Sequence, residues 1–519
     1  MATVAPTRVR SGRGVELVLL VVALVVAVAG YALVGIGVKG AVPTDIVRYG
    51  LGMAALAVLA HVVVRWRAPY ADPVILPTVV ALNGIGLAMI YRMDLAYAAR
   101  GRAQHDFADK QLMWSAFAMI LALVVLVALR DHRTLRRYSY TAGLAALVLL
   151  LMPMLPVIGK QINGARIWVG IGPATLQPAE LAKIALAIFF AGYLVTNRDT
   201  LALAGPTVLG MKLPRARDLG PILVVWGVTM VVLVAQKDLG TSLLLFGLFI
   251  AALYLATERV SWVLLGLGLL AVGAWAASQA FAHVGVRFTI WLHALDQEVY
   301  DPARGSGYGW GSGQLVRGLF GMASGGMFGT GWGQGRPDLV SYAESDFIVA
   351  SLGEELGLTG LIAILALVMV LVQRGMRTAI GVRDGFGKLL AGGLSFLVAL
   401  QVFVVVGGVT RLIPLTGLTA PFLAYGGSSL LGNWLIVGLL LRISDDARRP
   451  APAVKVVLTP ADGVPALARP SAESAIVVPG SGAQDVPLSA PTPSAAPVED
   501  GPAPPAGGAT ETVPGVGAS

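Results

Sequence analysis

The chain of 519 residues is 56% hydrophobic and only 13% charged, about half the roughly 25% charge of a soluble domain. A water-soluble globular protein is excluded, and dividing the length into domains of soluble size loses its meaning. The net charge of +9 is uneven: six acids and two bases give residues 450–519 a charge of −4 and leave +13 on the rest.

A bilayer core takes about twenty consecutive apolar residues per helix. Twelve windows meet that requirement, at 16–38, 46–64, 73–91, 111–129, 138–158, 178–195, 219–235, 240–257, 261–282, 346–373, 386–410 and 421–442. Lipid cannot satisfy backbone N–H and C=O groups, so the windows predict helices. The fold class is therefore all-α, a polytopic membrane protein of about 12 transmembrane helices. The first window is too long for a signal peptide and lacks a cleavage site.

Basic residues fall on one side of this arrangement. Arg8, Arg10 and Arg13 precede the first span, Arg65 and Arg67 follow the second, and Arg130, Arg133, Arg136 and Arg137 follow the fourth. Lys212, Arg215 and Arg217 precede the seventh, and Arg374, Arg377, Arg383, Arg442, Arg448 and Arg449 continue the pattern. The positive-inside rule places that side, with both termini, in the cytoplasm. The basic excess thus speaks for topology rather than for a nucleic acid or another acidic partner.

The same count leaves residues 283–345 outside as one large extracellular loop before the tenth helix, a length usually tied to function. Leu315, Val316, Leu319, Phe320 and Ala323 recur at helical spacing and predict a helix on the outer membrane surface. Thirteen glycines in 301–345 suit a flexible or tightly turning loop. From Pro450 onward the chain is rich in Pro, Ala, Ser and Gly, which predicts a disordered cytoplasmic tail, a tether at most.

Ionisable residues inside spans are costly and mark function or helix pairing. Glu180 and Lys183 stand three apart on the sixth helix, on one face, where they neutralise each other; a structural ion pair and a functional one fit equally. Asp346 opens the tenth helix as either a first-turn acid stabilised by the helix dipole or a base placed to take a proton from a hydroxyl of a lipid-linked substrate. Glu354 and Glu355 follow about 12 Å deeper at 1.5 Å per residue. At 100° per residue Glu354 falls about 80° from Asp346 and Glu355 about 180°, so Glu354 is the better companion for Asp346. A structural carboxylate pairing with another helix is its alternative.

Two polar turns face the same outer side, Gln236-Lys237-Asp238-Leu239-Gly240-Thr241 and Arg411-Leu412-Ile413-Pro414-Leu415-Thr416-Gly417. Arg166 with Trp168, Arg287 and Arg411 are either interface anchors or external cations suited to a phosphate. No cysteine is present and the five histidines are scattered, which argues against a thiolate or histidine metal centre. No nucleotide-binding motif occurs.

Four stretches in order resemble one family. They are Asn163-Gly164-Ala165-Arg166-Ile167-Trp168 leading to Gln177-Pro178-Ala179-Glu180-Leu181-Ala182-Lys183; Gln236 to Thr241; Asp346-Phe347-Ile348 with Gly353-Glu354-Glu355-Leu356-Gly357; and Pro414 to Gly417 with Pro421-Phe422-Leu423-Ala424-Tyr425-Gly426-Gly427-Ser428-Ser429. Together they are similar to the SEDS family, which includes RodA, FtsW and SpoVE, and the additions at both ends look like its actinobacterial branch. The resemblance divides the chain into an N-terminus with two additional helices (1–72), a SEDS-like core of ten helices (73–445) and the tail (446–519).

The resemblance implies a peptidoglycan glycosyltransferase of the bacterial cytoplasmic membrane that polymerises lipid II for cell elongation or division. It implies catalysis by Asp346, with Glu180, Lys183, Arg166, Lys237, Asp238, Arg287, Glu354, Arg411, Tyr425, Ser428 and Ser429 binding substrate or supporting the site. In the implied inverting displacement, the 4-hydroxyl of an acceptor GlcNAc attacks C1 of the donor MurNAc and undecaprenyl pyrophosphate leaves. Arg166, Lys237, Arg287 and Arg411, with or without a divalent cation (Mg or Mn), would stabilise that leaving group. A class B penicillin-binding protein and other elongation or division machinery are the implied partners.

Several positions depart from the family pattern. The segment before Asp346 reads Ser341-Tyr342-Ala343-Glu344-Ser345 where Pro-Glu-x-His-Thr is usual. Lys237 replaces a proline, and Gly307-Tyr308-Gly309 with further glycines precedes Gln314. Two other classes remain open beside the enzyme: a flippase or transporter for a lipid-linked precursor, using Glu180, Lys183 and Glu354 within the bilayer, and a noncatalytic scaffold of the wall-synthesis complex.

Overall fold

The computed structural model describes residues 12–101, 106–162, 165–172, 174–198, 207–208, 211–212, 216–300 and 311–450. All belong to one unit, Met1–Pro450; the second unit, Ala451–Ser519, and with it the expected disordered tail, lies outside the described residues.

Among the described residues the helices run α1 Arg13–Lys39, α2 Ile46–Arg67, α3 Ile75–Ala99, α4 Phe107–Ala128, α5 Thr134–Arg137, α6 Ser139–Leu151, α7 Ala179–Thr196, α8 Ala216–Gln236, α9 Leu239–Thr257 and α10 Ser261–Ala280. They continue with α11 Ala282–Leu292, α12 Gln297–Tyr300, α13 Gly313–Gly325, α14 Ile348–Gly381, α15 Gly385–Val409 and α16 Gly427–Arg448. Every apolar window meets a helix, but ten rather than twelve of these helices are long and apolar enough to cross a membrane: α1 to α4, α7, α9, α10 and α14 to α16. Helix α6 stops early because Pro153 and Pro156 follow it, the first inside a single 3-10 turn, Met152–Met154, and proline cannot continue a helical ladder. The apolar part of α8 is Gly220–Gln236, with Pro221 in its first turn.

Two small sheets interrupt the all-helical pattern. Strands β1 (Gly159–Ile162), β2 (Ala165–Ile171) and β3 (Ala174–Leu176) form an antiparallel meander between α6 and α7, and β4 (Thr207–Val208) pairs with β5 (Met211–Lys212). The meander pairs Lys160 with Trp168 and Val169 with Leu176.

Helix α3 is 94% buried over its apolar window and α16 89%, whereas α10 is 11% buried. The first two therefore form the centre, and α10 lies at the edge with Leu264, Leu267, Val272 and Trp275 exposed. Helix α1 lies along α3 through small residues, so tightly that a Cβ on Gly84 would come 2.2 Å from Ala27 Cβ.

The described parts of the large loop, 283–300 and 311–345, are built rather than slack. They hold α11, α12, α13 and a 3-10 turn at Pro337–Leu339. The helix expected from the spacing at 315–323 is α13; it packs on α14 with Leu315 and Val316 buried and Phe320 exposed.

Helix α14 breaks at Gly357, whose φ of 67° and ψ of −172° suit glycine and strain other residues. The broken ladder is completed by the loop. Glu354 and Glu355 carbonyls each accept an N–H, from Thr330 and Gly331, at 3.0 Å, while Leu358 and Thr359 donate to Gly326 and Met327 carbonyls at 3.0 Å. An interrupted helix at membrane depth needs this pairing, because lipid offers none. The loop also reaches α1: Gln334 Nε2 donates to the Gly37 carbonyl at 2.8 Å, and a Cβ on Gly37 would overlap the Trp332 carbonyl at 2.0 Å.

Candidate active site

Asp346 does not sit in the helix. Phe347 is the N-cap of α14, and Asp346 lies in the turn before it, where Tyr342 (φ 57°) accepts the N–H groups of Ser345 at 3.0 Å and Phe347 at 3.1 Å. Among the described residues the half-buried Asp346 carboxylate takes no hydrogen bond. Gly417 (φ 78°) faces it, and a Cβ there would lie 3.6 Å from Asp346 Oδ2. Burial pushes the Asp346 carboxyl up to about 7, the charge of Glu344 adds to the rise, and Arg287 opposes it.

Arg287 projects from α11, gives Nη1 to the Leu415 carbonyl at 2.6 Å and acts electrostatically on both Asp238 and Asp346. Asp238 is buried as the N-cap of α9, accepting the Thr241 N–H at 2.9 Å. Burial raises its carboxyl, against the pull of that N–H and of Arg287. Lys237 is exposed beside it. His283 feels the same cations: burial, then Lys237 and Arg287, lower its imidazole.

A polar chain leads from Asp238 into the bundle. Gln177 gives Nε2 to Asp238 Oδ2 at 3.5 Å and its backbone N–H to Ser428 Oγ at 2.9 Å. Next to Ser428, the Ser429 hydroxyl and carbonyl accept Asn433 Nδ2 at 3.2 and 2.9 Å. Asn433 Oδ1 stands 3.5 Å from Lys183 Nζ, which also meets Gln401 Oε1 at 3.1 Å and Glu180 Oε2 at 2.6 Å. The Glu180–Lys183 pair is thus buried, mutually neutralised and hydrogen-bonded, the condition under which a buried pair is tolerable. Tyr425 gives its N–H to the Glu344 carbonyl at 2.8 Å.

The structure therefore gathers Asp346, Arg287, Asp238 and Lys237 around one place, with Ser428, Ser429, Glu180 and Lys183 beneath and Tyr425 alongside. Three expected members are engaged otherwise. Arg411 gives Nε to Trp291 O at 2.7 Å and Nη2 to Leu292 O at 2.6 Å, capping the last carbonyls of α11. Arg166 stands exposed on β2. Glu354 accepts the Arg336 N–H at 2.6 Å; the angle that set it beside Asp346 assumed that Asp346 is helical, and it is not.

Glu355 is 0% exposed and binds Arg92 Nε at 2.7 Å and the Gly333 N–H at 2.9 Å. Arg92 also reaches the Gly335 carbonyl at 2.7 Å. Arg92 lies just past the apolar window 73–91, and a polar residue at a window's edge is the signal that could have found this pair. Glu344, His283, Gln401 and Asn433 were also not expected; Gln401 and Asn433 carried a signal as amides inside apolar windows.

Fold and site define a polytopic α-helical membrane protein with an acid and cations at one end of a polar core. The FtsW, RodA and SpoVE family model, described as cell cycle protein, matches residues 73–449. The chain belongs to that family, the SEDS family, in its actinobacterial RodA branch. It is 48% identical to the peptidoglycan glycosyltransferase RodA of Mycobacterium tuberculosis over 446 residues, 86% of this chain and 92% of the relative. It is 32% identical to the stage V sporulation protein E of Bacillus subtilis over 368 residues, 70% and 94% of the two chains. Among solved structures, a RodA mutant of Thermus thermophilus superposes with a TM-score of 0.51 at 23% identity, covering 73% of this chain and 99% of that one. A chain from a peptidoglycan synthase complex that coordinates polymerisation and crosslinking gives 0.52 at 24% identity, covering 70% and 98%; both likenesses bear on the fold.

Proposed function

We propose that this protein is a peptidoglycan glycosyltransferase that polymerises lipid II, with Asp346 as the general base. The observation that carries the assignment of the base is a carboxylate that takes no hydrogen bond among the described residues and interacts with the Arg287 guanidinium, in a chain whose close relatives are named for this reaction.

Asp346 takes the proton from the acceptor 4-hydroxyl as that oxygen bonds to C1 of the donor sugar with inversion, while the C1–pyrophosphate bond breaks. Arg287 and Lys237 offer positive charge where the leaving pyrophosphate develops its own. Asp238, Gln177, Ser428 and the Glu180–Lys183 pair fix the floor beneath.

Mg or Mn would require a set of oxygen donors near Asp346. Among the described residues the group able to offer three ligands is His132, Asp384 and Asp446, beyond the opposite end of α14, where Arg133 already bridges the two carboxylates at 3.4 and 3.1 Å.

The multi-pass protein resides in the bacterial cytoplasmic membrane with its arginine-rich end and both termini cytoplasmic, and it acts in elongation beside a class B penicillin-binding protein. Purified protein supplied with labelled lipid II is expected to release glycan polymer. Labelled lipid II crossing vesicle membranes without polymer would replace this reading with the transporter.

A further inference from the structure

We propose that Glu344 is a positioning residue for the transfer reaction: tethered to Tyr97 and Tyr425, it fixes the turn that presents Asp346 and keeps a fixed negative charge beside it. The proposal rests on Asp346 being the base. Glu344 is held at two points. Its Oε2 accepts the Tyr97 hydroxyl of α3 at 2.8 Å, and its carbonyl accepts the Tyr425 N–H at 2.8 Å. The Tyr425 ring in turn leans on Phe107 of α4 at 4.8 Å. The turn is also pinned from below, where Ser351 Oγ donates to the Ala343 carbonyl at 3.0 Å. Glu344 thus ties the turn to the central helix α3 and to the segment leading into α16.

The charges around Asp346 come from distinct elements. Glu344 shares its turn, Arg287 faces it from α11, and the uncharged Gly417 backbone closes the third side. Asp238 balances Arg287 from the turn before α9, and Lys237 and His283 stand near that arginine. Asp94 of α3 acts with Glu344 on the Tyr425 phenol, which burial raises first. Among these, Glu344 and Arg287 act on Asp346 directly and in opposite senses. A like charge makes a carboxylate hold its proton more tightly, and a base whose proton affinity lies near working pH transfers protons most effectively.

The test is the pH profile of kcat/KM for lipid II polymerisation by the purified full-length protein. Glu344→Gln removes the like charge, so Asp346 stays ionised to lower pH and the acid limb is expected to move down by about half a unit or more. Glu344→Asp keeps the charge and leaves the limb in place. Tyr97→Phe releases the carboxylate from its anchor and moves the limb the same way by less, and it decides the matter if Glu344→Gln does not fold. Unmoved limbs in the folded variants, or equal displacement by Gln and Asp, would overturn the proposal. Asp346→Asn separates the two readings: a native rate there removes the base itself, whereas a dead Asp346→Asn with an unmoved Glu344→Gln limb removes only the role of Glu344.

Discussion

Asp346 and the pair Glu354 and Glu355 lie within ten residues of one another, yet the fold treats them oppositely. Glu355 is closed off by Arg92 and the Gly333 N–H, and Glu354 by the Arg336 N–H. Among the described residues Asp346 takes no hydrogen bond and stands beside a cation. Satisfied acids hold a loop to a broken helix; an unsatisfied one keeps its lone pairs for a substrate. Depth in the sequence does not separate the two kinds, whereas the hydrogen-bond inventory does.

Substitutions on either side test that contrast. Asp346→Asn is expected to cut lipid II polymerisation by about 10²–10⁴-fold with an unchanged melting temperature, since Asp346 takes no hydrogen bond among the described residues. Arg287→Met should lower the maximal rate by about 10²-fold, the scale of losing one charge-stabilising donor, as a steady-state assay would read. Arg92→Met leaves Glu355 buried without its cation and should cost about 3–5 kcal/mol of stability, seen as a lower melting temperature in detergent. Gly37→Leu forces α1 away from the Trp332 carbonyl and should cost about 1–3 kcal/mol. Activity should also fall as pH drops through about 7, because a raised carboxyl binds its proton there and ceases to be a base; a flat profile between pH 6 and 8 would disagree.

Much of this was legible in the residues. Hydropathy placed the ten helices that, among the described residues, are long and apolar enough to cross a membrane, since about twenty apolar residues have few alternatives, and it located Asp346 at the end of one. Proline cut α6 short where an apolar count still rose. The break at Gly357 was hidden because glycine is common in apolar windows and its cause, the loop 326–331 supplying the missing pairs, lies some thirty residues away. The same distance hid the Arg92–Glu355 pair, whose partners are 263 residues apart. Arg411 looked like a free external cation because its acceptors are backbone carbonyls, which leave no mark in a sequence.

The most direct test measures rate and melting temperature together for purified Asp346→Asn and Glu355→Gln, with lipid II as substrate. A dissociation is expected: Asp346→Asn melts like the unchanged protein and polymerises about 10²–10⁴-fold more slowly, while Glu355→Gln melts earlier and still polymerises below its transition. A native rate from Asp346→Asn would contradict it.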